Sequence, residues 1–385
     1  MSNSTISRLP MKLISEVGEV FTGSTPPTSD RTLYGDEYPF FGPSDLDKGK
    51  YLCSAEKNLS SKGFAHSRKI PENAILFACI GIIGKVGIAK KDSSCNQQIN
   101  YIIPKSGIDY EYLYYALQFV SPIIRDNATT QVVPMINKSE FEKFEVPIPD
   151  YEEQKAIAKA LSDIDELIAG LKIEIEKNAN IKNGLVQRNL NSLVPNSKLR
   201  DHATMASGGT PLTSVSAYYG GEIPWVSITD MTDSGKYIER TVRNLTESGL
   251  LNSSAVIYPI NTLLFAMYAS IGKCALPKVP VASSQAILGI TVKPSLNIDY
   301  LYYILTSRTQ DFIAMGQQGT QSNLNKIIVG DFNIPVPPLK DQEKIAAEFI
   351  NIDLKIDALK SELAKYECIK QGMAHDLLTG KVRLV

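Results

Sequence analysis

The residues of this sequence that could catalyse a reaction do not form a recognised catalytic pattern. Gly84-Lys85 follows an apolar run, but Cys79 and Val86 stand where a phosphate-binding P-loop requires glycine and serine or threonine. Glu153-Gln154-Lys155 has the Glu-x-Lys spacing of a nuclease, but it falls on the first turn of a predicted helix, where we expect a solvated face. The three histidines and five cysteines are scattered, which predicts free thiols in a reducing compartment and no metal site.

A second set of polar residues has the chemistry of nucleic-acid contacts. Lysine, arginine and hydroxyl groups bind phosphates, and arginine, asparagine and glutamine bind base edges. Several such residues occur twice in the chain, beside glycines, amides or hydroxyls that are typical of loops. The predicted contacts of this kind are Thr25, Lys85, Gln97, Lys138, Thr210, Lys273, Gln285 and Lys326. A tight turn required by the fold is the alternative explanation for the Gly-Thr-Pro and Gly-Lys positions.

Base specificity is expected where the two halves of the chain differ rather than where they repeat. The clearest differences lie in residues 45–69 and 230–251, which are both rich in basic side chains. The basic residues predicted to contact DNA there are Lys48, Lys50 and Arg68 in the first half and Lys236, Arg240 and Arg243 in the second. A solvated charged surface with no ligand is the alternative.

The chain contains an internal repeat that covers almost all of its length. Gly23-Ser24-Thr25-Pro26 matches Gly208-Gly209-Thr210-Pro211 after 185 residues, and Ile83-Gly84-Lys85 matches Ile271-Gly272-Lys273 after 188. The same offset of 188 relates further pairs, namely Gln97 and Gln285, Tyr114-Tyr115 and Tyr302-Tyr303, and Asn137-Lys138 and Asn325-Lys326. A unit consisting of a globular part and a long helix has therefore been duplicated.

Two long helices follow from the spacing of apolar residues. The spacing alternates between four and three residues, which is the heptad pattern of a coiled coil. The predicted seam consists of Ile157, Leu161, Ile164, Ile168, Leu171 and Ile175 in the first helix and Ile345, Phe349, Ile352, Ile356, Leu359 and Leu363 in the second. Asp150 with Glu153 predicts a capping box at the first helix, and Gly380 a C′ glycine after the second.

The predicted fold is mixed α/β (α+β), with two similar globular domains separated by the two long helices. We divide the chain into a first globular domain (1–149), a first spacer helix (150–192), a second globular domain (193–338) and a second helix with a C-terminal tail (339–385). Because the second globular domain must return its helix along the first, the helices are expected to form an antiparallel coiled coil. Asn178 falls on the seam, where it either fixes the register or lies partly exposed near a frayed end.

The composition of the chain indicates its cellular location more clearly than the partners it binds. The sequence has 385 residues, of which 43% are hydrophobic and 21% charged, as in ordinary globular proteins. It contains no apolar run long enough to span a bilayer, and Met1 to Pro10 lacks the apolar core of a secretory signal, so we expect a cytoplasmic protein. Lysine and arginine number 40 against 41 acidic residues, so any DNA binding must come from local patches or from a partner.

The sequence resembles the specificity (S) subunits of type I restriction–modification systems. The resemblance rests on the Gly-Thr-Pro and Ile-Gly-Lys turns, Asn325-Lys326, the Pro-x-Pro segment before each long helix, Gln154 and Gln342, and the terminal Leu377-Leu378-Thr379-Gly380. It implies that each globular domain is a target recognition domain for one half of a bipartite site in double-stranded DNA. It also implies a coiled coil that sets the gap and docks methyltransferase subunits, with a restriction and translocase subunit joining them.

The resemblance further implies a non-catalytic chain, with S-adenosylmethionine, ATP and Mg²⁺ bound by partner subunits. The segment Asn189 to Leu193 after the first helix departs from the Leu-Leu-Thr-Gly that follows the second, so the two docking ends need not be equivalent. Two alternatives remain: a self-sufficient fused enzyme that cuts or methylates alone, and a coiled-coil scaffold that binds only proteins.

Overall fold

Residues 9–129, 133–317 and 324–384 are described by the structure, a computed structural model. Contacts divide the chain into two units, Met1–Lys172 with Ser361–Val385, and Ile173–Lys360. Each unit contains one globular part and one segment of each long helix. Within the described ranges, no helix is both long and apolar enough to cross a membrane. Residues 1–8, the larger part of the stretch predicted to lack a secretory signal, lie outside those ranges.

The globular part of the first unit is built on a five-stranded sheet. Its central strands are short apolar runs whose side chains are buried on both faces. In order across the sheet, the strands are Gly18–Thr22, Ile99–Pro104, Ile75–Ala78, Val86–Ala89 and Tyr51–Leu52. The last strand joins in parallel and the others are antiparallel. A four-stranded sheet (Tyr34–Gly35, Lys57–Leu59, Tyr38–Phe41, Ser94–Cys95) and the pair Met11–Leu13 with Glu145–Pro147 complete it.

The second unit repeats this topology. Its five-stranded sheet has the order Ala203–Ser207, Ile287–Val292, Thr262–Ala266, Cys274–Pro277 and Tyr237–Ile238, again with the last strand parallel. Its smaller sheet has three strands, Arg243–Leu245, Tyr219–Val226 and Ala282–Ser283, because one long strand replaces two short ones of the first unit. Ser197–Lys198 pairs with Asn333–Ile334. The internal repeat in sequence is therefore a repeat in structure.

Short helices surround the sheets. In the first unit they are Ile14–Val17, Ser61–Ala65, Tyr110–Asp126 and Lys138–Phe141, with 3₁₀ turns at Arg31–Leu33 and Asp45–Lys48. In the second they are Leu199–His202, Ile228–Asp233, Glu247–Leu251, Ile298–Ser307, Thr309–Gln317 and Lys326–Gly330, with a 3₁₀ turn at Ser216–Tyr218. The helical spacing of Tyr300 to Met315 corresponds to two helices, because the helix is interrupted at Arg308. Ser307 and Thr309 hydroxyls donate to carbonyls three residues back, which competes with helix continuation.

The long helices have the predicted positions. The first spans Tyr151–Val186 and continues as a π-helical turn over Gln187–Asn191, and the second spans Leu339–Leu378. Asp150 Oδ1 accepts a hydrogen bond from Glu153 N at 3.0 Å, so Asp150 caps the first helix. Gly380 has a φ of 75°, the left-handed conformation expected of a C′ glycine.

In each unit the two helix segments pair antiparallel. In the first unit, Lys370 forms an ion pair with Asp165 at 2.6 Å, and Lys172 forms one with Glu367 at 3.0 Å. In the second unit, Lys355 pairs with Glu174 at 3.1 Å. Residue numbers rise along one helix as they fall along the other. All twelve predicted seam residues are buried or half-buried, with Ile157, Leu161, Ile164, Ile168, Phe349 and Ile356 the most enclosed.

Each globular part shares its core with the helices. In the first unit, Phe77 and Phe141 pack in one cluster with Ile157, Leu161 and the C-terminal Leu377 and Leu378. In the second, Phe265 and Phe312 share a cluster with Phe349 of the second long helix. Full burial of such a side chain contributes roughly 1.5–3 kcal/mol. The helices are therefore part of the globular cores and not detached linkers.

Asn178 lies within the seam. Only 3% of its surface is exposed, so the alternative of a partly exposed residue is wrong. Its Nδ2 donates to the carbonyl of Glu174 at 2.7 Å, within its own helix. A buried polar side chain among apolar seam residues disfavours shifted pairings of the two helices.

Candidate nucleic-acid interface

The Gly-Ser-Thr-Pro turn of the first unit is fixed against the loop that follows strand Ser94–Cys95. Gly23 N donates to Ile99 O at 2.9 Å, and a Cβ on Gly23 would lie 2.1 Å from Asn96 O, so only glycine fits there. This close approach places Thr25 Oγ1 at 2.5 Å from Gln97 Oε1, to which it donates a hydrogen bond. Two residues that the sequence singled out separately are thus one exposed pair.

The second unit contains the same arrangement. Gly208 N donates to Ile287 O at 3.0 Å, and Thr210 donates to the side-chain oxygen of Gln285. In both units a tyrosine hydroxyl stabilises the turn by donating a hydrogen bond to the proline carbonyl. Tyr34 donates to Pro26 O at 2.9 Å, and Tyr219 donates to Pro211 O at 2.7 Å. Because the glutamine oxygen accepts from threonine, the amide N–H groups are left to donate to an external acceptor.

The surroundings of the two Thr-Gln pairs differ. In the first unit, Arg68 N donates to Ser24 Oγ at 3.2 Å and Arg68 Nη1 donates to Thr22 O at 2.5 Å, which places an exposed arginine beside the turn. In the second unit, a Cβ on Gly209 would lie 2.3 Å from Ala255 N, so the backbone of Ala255 lies against the turn. Trp225 Nε1 donates to Gly209 O at 3.0 Å on the same turn. A shared polar pair therefore has an arginine neighbour in one unit only.

The Ile-Gly-Lys turns connect two strands of each main sheet. Gly84 and Gly272 have φ values of 97° and 83°, which explains why glycine recurs at these positions. Lys85 forms an ion pair with Asp47, whereas Lys273 forms none within the described ranges. Lys273 instead lines a cleft of about 680 Å³ in the second unit, together with Lys182, Lys236, Lys360, Asp353 and Asp357.

The two Asn-Lys motifs begin short helices. Asn137 Oδ1 accepts from Glu140 N, and Asn325 Oδ1 accepts from two backbone amides, so both asparagines are N-caps. Lys138 forms an ion pair with Glu142 at 3.4 Å, and Lys326 is exposed. The repeated asparagines thus have a structural role, and the lysines beside them stay predicted phosphate contacts.

The variable segments begin with a buried aspartate in each unit. Asp45 accepts from the amides of Gly42 and Glu56, and Asp230 accepts from those of Ser227 and Val242. These carboxylates hold their loops closed, so the starts of segments 45–69 and 230–251 belong to the scaffold. Lys48 is engaged by Asp45 at 2.6 Å. Arg240 and Arg243 are exposed and form no ion pair within the described ranges, so both stay predicted DNA contacts.

Lys50 and Lys236 require a correction, because we expected them on an exposed face. Each side chain is only 10% exposed, and each ammonium group lies among tyrosines and a carboxylate of its own unit. Burial lowers the pKa of Lys50 while the nearby Glu111 opposes that shift. An ammonium group enclosed in this way is not available to a DNA phosphate.

The Glu153-Gln154-Lys155 stretch also differs from the expectation of a solvated face. Glu153 is fully buried and binds Arg383 through both carboxylate oxygens, so it does not complete the predicted capping box. Gln154 is buried and hydrogen-bonds three backbone groups, Asp109 N, Gly107 O and Pro149 O. Only Lys155 is solvated. The feature that could have indicated this role is the recurrence of glutamine at position 342.

Gln342 makes the corresponding three bonds in the second unit. Its Oε1 accepts from Asn297 N at 2.8 Å, and its Nε2 donates to Ser295 O and Pro337 O. In both units one glutamine thus ties the start of a long helix to the segment before a helix of the globular part. These side chains fix the attachment of each globular part to its long helix.

Comparison with known proteins identifies the family. The sequence model described as "Type I restriction modification DNA specificity domain" matches residues 10–177 and 191–367. The chain belongs to this family, with one match in each repeat. It is 35% identical over 172 residues to the type I restriction enzyme MjaIX specificity subunit of Methanocaldococcus jannaschii, covering 43% of this chain and 40% of that relative.

Two further comparisons cover most of the chain. The MjaVIII specificity subunit of the same organism is 26% identical over 391 residues, 90% of this chain and 86% of that one. The crystal structure of the type I restriction–modification S subunit from M. genitalium superposes with a TM-score of 0.66 at 17% identity, covering 98% of both chains. The chain spans about two fifths of the length of the MjaIX relative. The structural match concerns the fold.

Proposed function

We propose that this chain is the DNA specificity subunit of a type I restriction–modification complex. Each globular part recognises one half of a bipartite site in double-stranded DNA, and the paired long helices dock methyltransferase subunits. A restriction and translocase subunit completes the assembly. On this proposal the chain is not catalytic, and S-adenosylmethionine, ATP and Mg²⁺ belong to the partner subunits.

One observation carries the proposal. The exposed Thr-Gln pair occurs in both repeats on the same kind of turn, and each repeat matches the specificity-domain family. Two copies of one binding surface suit a ligand with two similar parts, such as the two half-sites of a DNA target. The neighbour that differs, Arg68 in one unit and Ala255 in the other, supports recognition of two different half-sites.

Reciprocal variants test which unit binds which half-site. The complex with its methyltransferase partner is assayed for methylation of targets in which each half-site is varied base by base. The change Arg68→Ala is expected to relax preference at one position of one half-site, by roughly 10- to 100-fold for a lost bidentate contact. Arg243→Ala, at a different position of the repeat, is the variant used for the second unit. Loss of preference at the same half-site in both variants would contradict the assignment.

The phosphate-contact prediction has a different signature. Gln97→Leu and Gln285→Leu remove one neutral amide each, and both are expected to weaken binding to all sequences alike while leaving its salt dependence unchanged, because no cationic partner of a phosphate is lost. Binding is measured by fluorescence anisotropy at several salt concentrations. A variant that changed base preference would assign these residues to base recognition instead.

The proposed spacer role of the helices can be tested by lengthening them. One heptad inserted at the same level of both helices preserves the seam and adds about 10 Å. The tolerated gap between half-sites is then expected to grow by about three base pairs, with the half-sites unchanged. An unchanged gap would refute the spacer role.

Two experiments separate the alternatives. The purified chain incubated with DNA, S-adenosylmethionine, ATP and Mg²⁺ is expected to give no methylated or cleaved product, and any product would favour a self-sufficient enzyme. A scaffold that binds only proteins would bind no DNA even with a methyltransferase partner. Methylome sequencing of the host with and without the gene gives the target itself.

A further inference from the structure

Lys50 connects the globular part of the first unit to its first long helix. Its Nζ lies 2.6 Å from Ser162 Oγ on that helix, 3.3 Å from the Tyr115 hydroxyl and 3.2 Å from Glu111 Oε2. The tyrosine rings around it contribute cation–π contacts, the closest being Tyr115 with 4.7 Å from Nζ to the ring centroid. The ammonium group thus contacts hydroxyl groups, a carboxylate and aromatic rings at the same time.

The contacts continue from Tyr115 to both long helices. The Tyr115 hydroxyl donates to Asp165 Oδ2 at 2.7 Å, and Asp165 Oδ1 pairs with Lys370 of the second long helix at 2.6 Å. Burial raises the pKa of the Tyr115 hydroxyl, so it remains a donor throughout the physiological range. Lys50, Tyr115, Asp165 and Lys370 therefore form one continuous chain of contacts, which we call the first junction.

The second unit contains the same chain of contacts. Lys236 Nζ lies 3.3 Å from the Tyr303 hydroxyl, which donates to Asp353 at 2.8 Å, and Asp353 pairs with Lys182 at 2.5 Å. Lys236 also pairs with Asp299 at 2.7 Å. Lys236, Tyr303, Asp353 and Lys182 are the second junction. Within each junction the aspartate comes from one long helix and the terminal lysine from the other.

Because the junctions consist of charged and hydroxyl groups, they are stable only when these groups are correctly positioned. Apolar side chains of the same volume would pack the same space without desolvating a charge. Lys50 and Lys236 are only 10% exposed, so a rotation or slip that removed their partners would leave a largely enclosed charge unpaired. A slip of the helices by one heptad would separate Asp165 from Lys370, and a rotation of the globular part would separate Lys50 from Ser162.

We propose that the two junctions are positioning clusters that fix the orientation of each globular part on its pair of helices. Lys50, Tyr115, Lys236 and Tyr303 are positioning residues on this assignment and do not contact DNA. A second part of the proposal rests on the proposed function: the junctions restrict the complex to one gap between half-sites. A recognition domain free to rotate on its helices would tolerate neighbouring gaps.

The native cysteines allow a direct test of orientation in the first unit. Cys53 lies in the globular part and Cys368 on the second long helix, and both are exposed, whereas the other cysteines are buried. Spin labels on these two thiols report the distance between globular part and helix by double electron–electron resonance. Tyr115→Phe removes the junction hydroxyl and keeps the ring. The neighbouring Tyr114→Phe is the matched control, since its hydroxyl bonds Gln118 outside the junction.

The expected result is a narrow distance distribution in the unmodified chain and in Tyr114→Phe, and a broadened or shifted one in Tyr115→Phe. Tyr303→Phe, in the other unit, is expected to leave it unchanged. Identical distributions for Tyr115→Phe and Tyr114→Phe would overturn the proposal. Because this measurement needs no DNA, it decides the role of the junction even if the proposed function fails.

The functional arm uses the complex with its methyltransferase partner and targets whose gap varies one base pair at a time. In Tyr115→Phe and Tyr303→Phe, preference for the best gap over its neighbours is expected to fall about fivefold, as for one lost hydrogen bond, with half-site preferences intact. Equal weakening at every gap together with a lowered Tm would indicate packing alone and overturn the positioning role.

Discussion

Replacing Arg383 by alanine is expected to loosen the first unit and leave the second unchanged. Arg383 Nε and Nη2 donate to the two carboxylate oxygens of Glu153, at 2.6 and 2.5 Å, although the residues are 230 positions apart in sequence. Glu153 stands on the first turn of the first long helix and its side chain is fully buried. The pair therefore ties the C-terminal tail to the beginning of that helix.

The magnitude follows from the burial of the two partners. Removing one member of a buried ion pair costs about 3–5 kcal/mol, because the remaining charge is left without a partner. The Arg383 side chain is 37% exposed, so water can reach the carboxylate in the variant. The loss therefore comes from the buried Glu153 carboxylate that is left unpaired, and partial access of water reduces it to about 2–3 kcal/mol. Glu153→Gln should cost less, and the double variant less than the sum of the two, because removal of Arg383 then leaves no buried carboxylate without a partner.

Native-state hydrogen exchange read by mass spectrometry resolves the two units. Protection of backbone amides at the start of the first long helix is expected to fall roughly 30- to 150-fold in Arg383→Ala, the equivalent of that loss. The chain has a single tryptophan, Trp225 in the second unit, so the midpoint of its fluorescence transition should not change.

Lys381→Ala is the control for this prediction. Lys381 lies in the same tail and pairs with Asp376 of the second long helix at 2.8 Å. Its side chain is 56% exposed, so the change should cost under about 1 kcal/mol. Equal amide protection in Arg383→Ala and Lys381→Ala would refute the reasoning. A shifted Trp225 transition in Arg383→Ala would show that the destabilisation is not confined to the first unit.

Three further predictions use the same chain. Gln342→Ala should lower the Trp225 unfolding midpoint and Gln154→Ala should not, because each leaves buried backbone groups unpaired in its own unit only, at about 1–3 kcal/mol per group. Gly84→Ala should reduce amide protection in the first unit by about 1 kcal/mol or more, since its φ of 97° disfavours a side chain and Cβ would lie 3.1 Å from Ser121 Cβ. Ellman titration at pH 8 should find two fast thiols in the native chain and five after denaturation. Burial raises the pKa of Cys79 and Cys274 to about 12 and also that of Cys95, which leaves Cys53 and Cys368 reactive.

The sequence predicted most accurately what local spacing determines. The heptad positions lie in the seam, because burial of one helix stripe leaves a periodic trace in the sequence. The helix break at Arg308 leaves no such trace, because two hydroxyls interrupt an otherwise helical pattern. The Glu153–Arg383 pair was missed because no periodicity connects residues from opposite ends of a chain.

The residues of the candidate site were predicted in part, because recurrence in the sequence identifies positions and not the contacts between them. Recurrence in both halves selected Thr25 and Gln97 independently, and the fold joins them, but it could not indicate that the two residues hydrogen-bond to each other. Lys50 was misplaced because a lysine in a variable, charged segment is usually solvated. The signal that could have corrected this is the recurrence of a Tyr-Tyr pair, whose second ring encloses Lys50 in one unit and Lys236 in the other.

Duplication separates two kinds of constraint on this chain. The recurring aspartates, asparagines and helix-start glutamines bond backbone within their own unit, so they preserve the frame and carry no information about a ligand. Arg68 also donates to a backbone carbonyl of its own unit, Thr22 O, but the turn of the second unit lies against the backbone of Ala255, so the frame does not require an arginine beside this turn. Recognition of two unequal half-sites therefore requires divergence at such positions, on turns whose backbone geometry stays the same.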